Sequence, residues 1–163
     1  MLLINHGAPK ATIYKHMTNI NAKDLTKEAP RSPYEKVGGF AILGRTIDKC
    51  RAAIAGTIGE YHFNCPVDNM LFSFKDINAE DFRTLVASGA GDDEIVEWVK
   101  TNGVHKTDEE VSAWSESFHL DFSYSTNEKK DWFIGECTRL GLNPEKTTLF
   151  DMLVEDDKVS YNQ

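Results

Sequence analysis

The sequence predicts an all-α fold, a single compact bundle of about seven short helices with at most a minor hairpin. Three observations carry that expectation. Helix-start signals recur along the chain, apolar residues follow them at helical spacing, and glycines stop most of the runs. The intervening connections are short, about two to six residues, as in one bundle and not two domains.

Ser32-Pro33-Tyr34-Glu35 combines a capping serine, a proline at the first helical position and a glutamate at the third, so a short helical turn is expected before Gly38-Gly39. Phe40, Leu43, Ile47, Cys50 and Ile54 form the next stripe, which Gly56 ends. Pro66 opens a helix bearing Val67, Met70, Leu71 and Phe74. Asn78 caps another with Phe82, Leu85 and Val86 inside, and Gly89 closes it. Asp92-Asp93-Glu94 supplies acid to a first turn, where the helix dipole is positive, and Ile95, Trp98 and Val99 follow. Thr107-Asp-Glu-Glu110 is a capping box ahead of Val111, Trp114 and Phe118. Leu120, Phe122 and Tyr124 alternate and suggest a short extended segment. Ser125-Thr-Asn-Glu128 reads as a further capping box before Phe133, Cys137 and Leu140, with Gly141 as the stop. Thr148 starts a last helix with Leu149, Met152 and Leu153. It runs into Glu155-Asp156-Asp157, acids at the unfavourable end of a dipole unless cations meet them. The tryptophans at 98, 114 and 132 are expected in the core.

The 163 residues suffice for one domain of ordinary size, assigned to 17–163, with 1–16 as an extension given no function. Hydrophobic residues at 40% and charged residues at 27% match soluble globular proteins. Eighteen Lys and Arg against 26 Asp and Glu leave a net charge of -8, which disfavours a nucleic-acid partner. Cys50, Cys65 and Cys137 are sparse and odd in number, which fits a reducing compartment. No signal peptide or membrane span is legible, so a cytoplasmic location is expected.

Charge is unevenly distributed. Residues 1–51 hold nine Lys and Arg against four acids, a net of +5, and the remainder carries -13. Either the two parts attract each other within one fold, or the basic part forms a pocket for an anion. The candidate ligand-binding residues are Arg31, Tyr34, Arg45, Asp48, Lys49 and Arg51. Arginine forks held in a hollow would grip a carboxylate or phosphate. On one helical face, Arg45, Asp48, Lys49 and Ala52 could equally form a solvated stripe with Asp48 pairing Arg45 or Arg51. Glu60 and His62 are candidate acid–base residues. Glu60, His62 and Cys65 do not match a metal-ligand spacing, and no metal or cofactor is expected. The glycines spell neither a phosphate loop nor a dinucleotide fingerprint.

Ala29-Pro-Arg-Ser-Pro33, Gly38-Gly39, Gly44-Arg45-Thr-Ile-Asp-Lys-Cys-Arg-Ala52 and Gly56-Thr-Ile-Gly-Glu-Tyr-His-Phe-Asn-Cys-Pro66 resemble a bacterial domain-of-unknown-function family, number five-zero-six-nine. The likeness continues through Asp92-Asp-Glu-Ile-Val-Glu-Trp98 to Leu149-Phe-Asp-Met-Leu-Val-Glu-Asp-Asp157, and is weakest from Glu116 to Lys146. It implies no activity or catalytic residue. It marks Arg31–Pro66 as the signature region, whose residues can serve packing or binding. Three functions are therefore compatible with the chain: binding of a small anionic ligand or acidic segment by the basic region, an enzyme using Glu60 or His62, and an adaptor presenting Glu155-Asp156-Asp157 to a basic partner. The sequence does not set the oligomeric state.

Overall fold

Apolar stripes that recur every three or four residues leave each helix with one face to bury, and the chain satisfies them by packing helix on helix. The computed structural model describes residues 20–161. Seven α-helices follow in order: α1 Leu43–Ala55, α2 Pro66–Lys75, α3 Ala79–Ala87, α4 Asp92–Thr101, α5 Asp108–Ser117, α6 Lys130–Leu140 and α7 Leu149–Tyr161. Short 3-10 turns cover Ser123–Ser125 and Pro144–Lys146. Among the described residues there is no strand, only an isolated bridge between Val37 and Phe40. The extension assigned to 1–16 lies outside the described residues.

Local signals place most boundaries. Asn78 Oδ1 accepts from the backbone N–H groups of Glu80 and Asp81, and Thr107 and Glu110 exchange the two bonds of a capping box. Thr148 and Asp151 make the same exchange at the head of α7. Gly56 and Gly141 end α1 and α6 in the left-handed conformation.

Ser32–Glu35 makes the short turn expected, Glu35 N–H donating to Ser32 O. Four other expectations are corrected. The stripe beginning at Phe40 becomes helical only at Leu43, because Ile42 sits at φ 70°. That backbone is pinned by a bond from Ile42 N–H to Pro33 O. Beside it, Ser115 Oγ accepts from Ala41 N–H and donates to Gly39 O. The alternating segment around Phe122 forms a 3-10 turn, and Ser125 falls inside it, so its capping box is not made and α6 starts at Lys130. Trp132 is half exposed, whereas Trp98 and Trp114 pack against the core.

α1 runs through the middle. Leu43, Ile47 and Cys50 are inaccessible and join Leu71, Phe72, Phe82, Ile95, Val99, Phe133 and Phe150 in one core. α1 packs on α2 and α3, and α6 packs on α7. Among the described residues no helix is long and apolar enough to cross a membrane.

Candidate functional site

A central helix must bury its polar face as well as its apolar one, and buried charge requires a partner. Arg45, Thr46, Asp48 and Lys49 of α1 are each at most 5% exposed. Each is met by a residue from outside α1. Arg45 donates Nη1 and Nη2 to the two carboxylate oxygens of Asp157 in α7, at 2.7 and 3.2 Å. Thr46 Oγ1 and Lys49 Nζ share Asp68 Oδ1 of α2, each at 2.8 Å. Asp48 accepts from Arg31 through the backbone N–H at 2.8 Å and through Nε and Nη2. Arg31 Nη1 and Arg51 Nη1 converge on Asp92 of α4, at 2.7 and 2.8 Å.

Asp48 thus pairs with Arg31 and not with Arg45 or Arg51 on its own helix, and the face is interior instead of a solvated stripe. The basic first part and the acidic remainder do attract each other: Arg31–Asp92, Arg45–Asp157, Lys49–Asp68 and Arg51–Asp92 all cross between them, as does Lys36–Glu116. Tyr34 belongs to the same framework. Its hydroxyl bonds Thr148 Oγ1 at 2.6 Å and donates to Asp151 at 2.8 Å, and its ring stacks on His119. Burial, with Asp151 beside it, pushes the phenol up to about 12. The acids at the end of α7 are also paired internally, Asp157 with Arg45, Asp156 with Arg139 and Glu155 with Lys158, which leaves little for a basic partner to engage.

The same framework walls a cavity of about 890 Å³ between α1, the segment 59–66, the first half of α2, the start of α6 and one face of α7 from Leu149 to Tyr161. Its lining is mainly apolar: Leu25, Val67, Met70, Trp132, Leu149 and Leu153, with the rings of Tyr61, Tyr124 and Tyr161. Its polar lining includes the cations Arg45, Lys49 and Lys129, the carboxylates Glu60 and Asp156, and His62 and Cys65. The carboxylate partners of the two cations, Asp157 and Asp68, are not lining residues. Lys49 Nζ also donates to Cys65 Sγ at 3.1 Å. Arg45 lies over the Tyr61 ring, 5.4 Å from its centre, and the Tyr61 hydroxyl donates to Asp157. Cys65 caps α2 immediately before Pro66, so the positive end of that helix dipole faces this wall.

Of the residues singled out in the sequence, Arg45 and Lys49 reach the cavity, as do Glu60 and His62. Arg31, Tyr34, Asp48 and Arg51 do not. Arg51 and Asp92 instead border a second hollow of about 380 Å³ with Ile20 and Asn21. Glu60 and His62 are exposed side chains at the rim of the large cavity. No group of three or more His, Cys, Asp or Glu among the described residues is placed to hold a metal ion. Val67, Met70, Leu149 and Leu153 escaped sequence reasoning as a site because their spacing equally fits core stripes, and Cys65 was weighed only as a metal ligand with Glu60 and His62. A cysteine directly before a helix-opening proline was the available signal.

A family model described as Domain of unknown function (DUF5069) matches residues 27–159. No curated protein matches the chain.

Proposed function

The chain belongs to the DUF5069 family, whose description names no activity, and from the chemistry of the cavity we propose that the protein binds a small amphipathic anion there. One observation carries the reading: a largely apolar hollow of about 890 Å³ has two buried cations, Arg45 and Lys49, in one wall. The ligand's apolar body lies against Leu153, Met70 and Trp132. Its acidic group turns toward Arg45, Lys49 and the start of α2. The internal carboxylates already balance both cations, so the anion adds hydrogen bonds and a favourable dipole, while apolar burial supplies most of the affinity. At about 0.3 kcal/mol per non-hydrogen atom, a ligand of about 20 atoms gains about 6 kcal/mol, a Kd of tens of micromolar.

Three unpaired cysteines support a reducing, cytoplasmic setting, and the family resemblance supports a bacterial source. Exposure of Glu60 and His62 speaks against the acid–base reading, and the internal pairing of Glu155, Asp156 and Asp157 against the adaptor.

The test is titration with 8-anilinonaphthalene-1-sulfonate, an aromatic anion of suitable size. Saturable fluorescence at one site is expected, weakened about tenfold or more when Leu153→Trp or Val67→Trp fills the hollow without lowering Tm. Absence of binding, or binding indifferent to both substitutions, overturns the proposal.

A further inference from the structure

The carboxylates that fix the buried cations of the cavity wall also cancel them as net charges. Arg45 is closed by Asp157 at 2.7 Å and Lys49 by Asp68 at 2.8 Å. Asp156, a lining carboxylate, is closed in turn by Arg139 at 2.6 Å. Among the described residues, Lys129 and Glu60 are the lining ammonium and carboxylate that make no ion pair. Both are exposed, so each presents a whole charge to whatever enters. Lys129 directly precedes α6 and stands three residues before Trp132, which also lines the hollow and is 51% exposed. Residues at that spacing are neighbours at the head of a helix. An unpaired ammonium and an uncovered indole therefore lie together at the rim.

We propose that Lys129 is the residue by which the hollow selects an acidic ligand over a neutral one of the same shape, with Glu60 acting against it. The inference rests on the amphipathic-anion reading and assigns the charge selectivity of that site to its rim. Arg45 and Lys49 offer hydrogen bonds, but an anion added to ion pairs that are already neutral gains little net Coulomb energy. Lys129 has no internal carboxylate to compete with the ligand, and the apolar body of that ligand packs on Trp132 beside it. Glu60 repels the same acidic group. Lys129 keeps its contact with water, so its effect is a few-fold one and fades as salt is added.

The experiment titrates the full chain at low ionic strength with two probes of one shape. These are 8-anilinonaphthalene-1-sulfonate and N-phenyl-1-naphthylamine, the same ring system without the sulfonate. Lys129→Gln should weaken the sulfonate about threefold and leave the neutral probe unchanged, and Lys129→Arg should keep the original affinity. Glu60→Gln should tighten the sulfonate alone. Lys130→Gln removes the same charge one position on, at a residue that does not line the hollow, and should change neither probe. Raised salt should bring Lys129→Gln and the unaltered protein together. Sulfonate binding that is unchanged in Lys129→Gln, weakened equally by Lys130→Gln, or lost together with the neutral probe overturns the assignment to Lys129 and leaves the ligand reading standing. Failure of both probes to bind the unaltered protein overturns both.

Discussion

Arg45 and Asp157 stand 112 positions apart and meet through two guanidinium–carboxylate bonds, the shorter at 2.7 Å, with both side chains less than a tenth exposed. This pair joins the central helix to the last one. Removing one partner strands the other charge, whereas removing both does not. Asp157→Ala is expected to cost about 3–5 kcal/mol in urea unfolding, and Arg45→Met with Asp157→Leu much less than either change alone. A loss below about 1 kcal/mol for Asp157→Ala would show that α7 is held by its apolar face.

Arg139 bonds Glu136 and Asp156 at 2.7 and 2.6 Å, yet nearly half its side chain is exposed. Distance alone would rank it with Arg45. Solvent screening ranks it far lower, and Arg139→Ala should change stability by no more than about 1 kcal/mol. Measured at raised salt, the difference should shrink further.

Burial pushes the Asp92 carboxyl up, but the Arg31 bond and the charges of Arg31 and Arg51 together outweigh it, leaving it below the ordinary 3.8. A depressed carboxylate stabilises the fold above its unfolded value, and that contribution is lost as pH falls through the folded value. Urea midpoints should therefore hold above about pH 5 and decline below about pH 4, with a shallower decline in Asp92→Asn. An equal slope in both proteins would assign the acid sensitivity to other carboxylates.

Gly56 and Gly103 both have positive φ, 77° and 69°. A Cβ on Gly56 would meet nothing within 4 Å, but on Gly103 it would lie 1.9 Å from Lys75 O. Gly56→Ala should cost about 1 kcal/mol, the conformational penalty alone. Gly103→Ala must also push apart two backbones, one carrying the bond from Val104 N–H to Lys75 O, and should cost about 3 kcal/mol or more. Thermal melts of the two variants side by side separate the effects.

The helix boundaries were largely legible because their causes are local. Asn78, Thr107, Pro66 and Gly141 act within four residues of themselves. Tertiary contacts defeated the same reasoning at Ile42, whose backbone is fixed by Pro33 and by Ser115 next to it, whereas at Ser125 a local competitor did, its hydroxyl donating to Phe122 O within a 3-10 turn. Arg45 and Lys49 stood among six ligand-binding candidates in the sequence, with nothing there to separate them from Arg31, Tyr34, Asp48 and Arg51. The carboxylate partners of Arg45 and Lys49 could not be singled out, since Asp157 and Asp68 lie on other helices and many aspartates compete for the role. Glu60 and His62 were noticed for their chemistry, and burial, which spacing does not encode, separates them from Cys65.

The framework around α1 contains four cations, Arg31, Arg45, Lys49 and Arg51, and four carboxylates, Asp48, Asp68, Asp92 and Asp157. It sums to zero. The formal charge of -8 is therefore carried wholly by residues outside that framework. Two copies approaching in dilute buffer feel this undiluted negative coat, so mutual repulsion at low ionic strength, fading as salt is added, is built into how the chain sorts its charges.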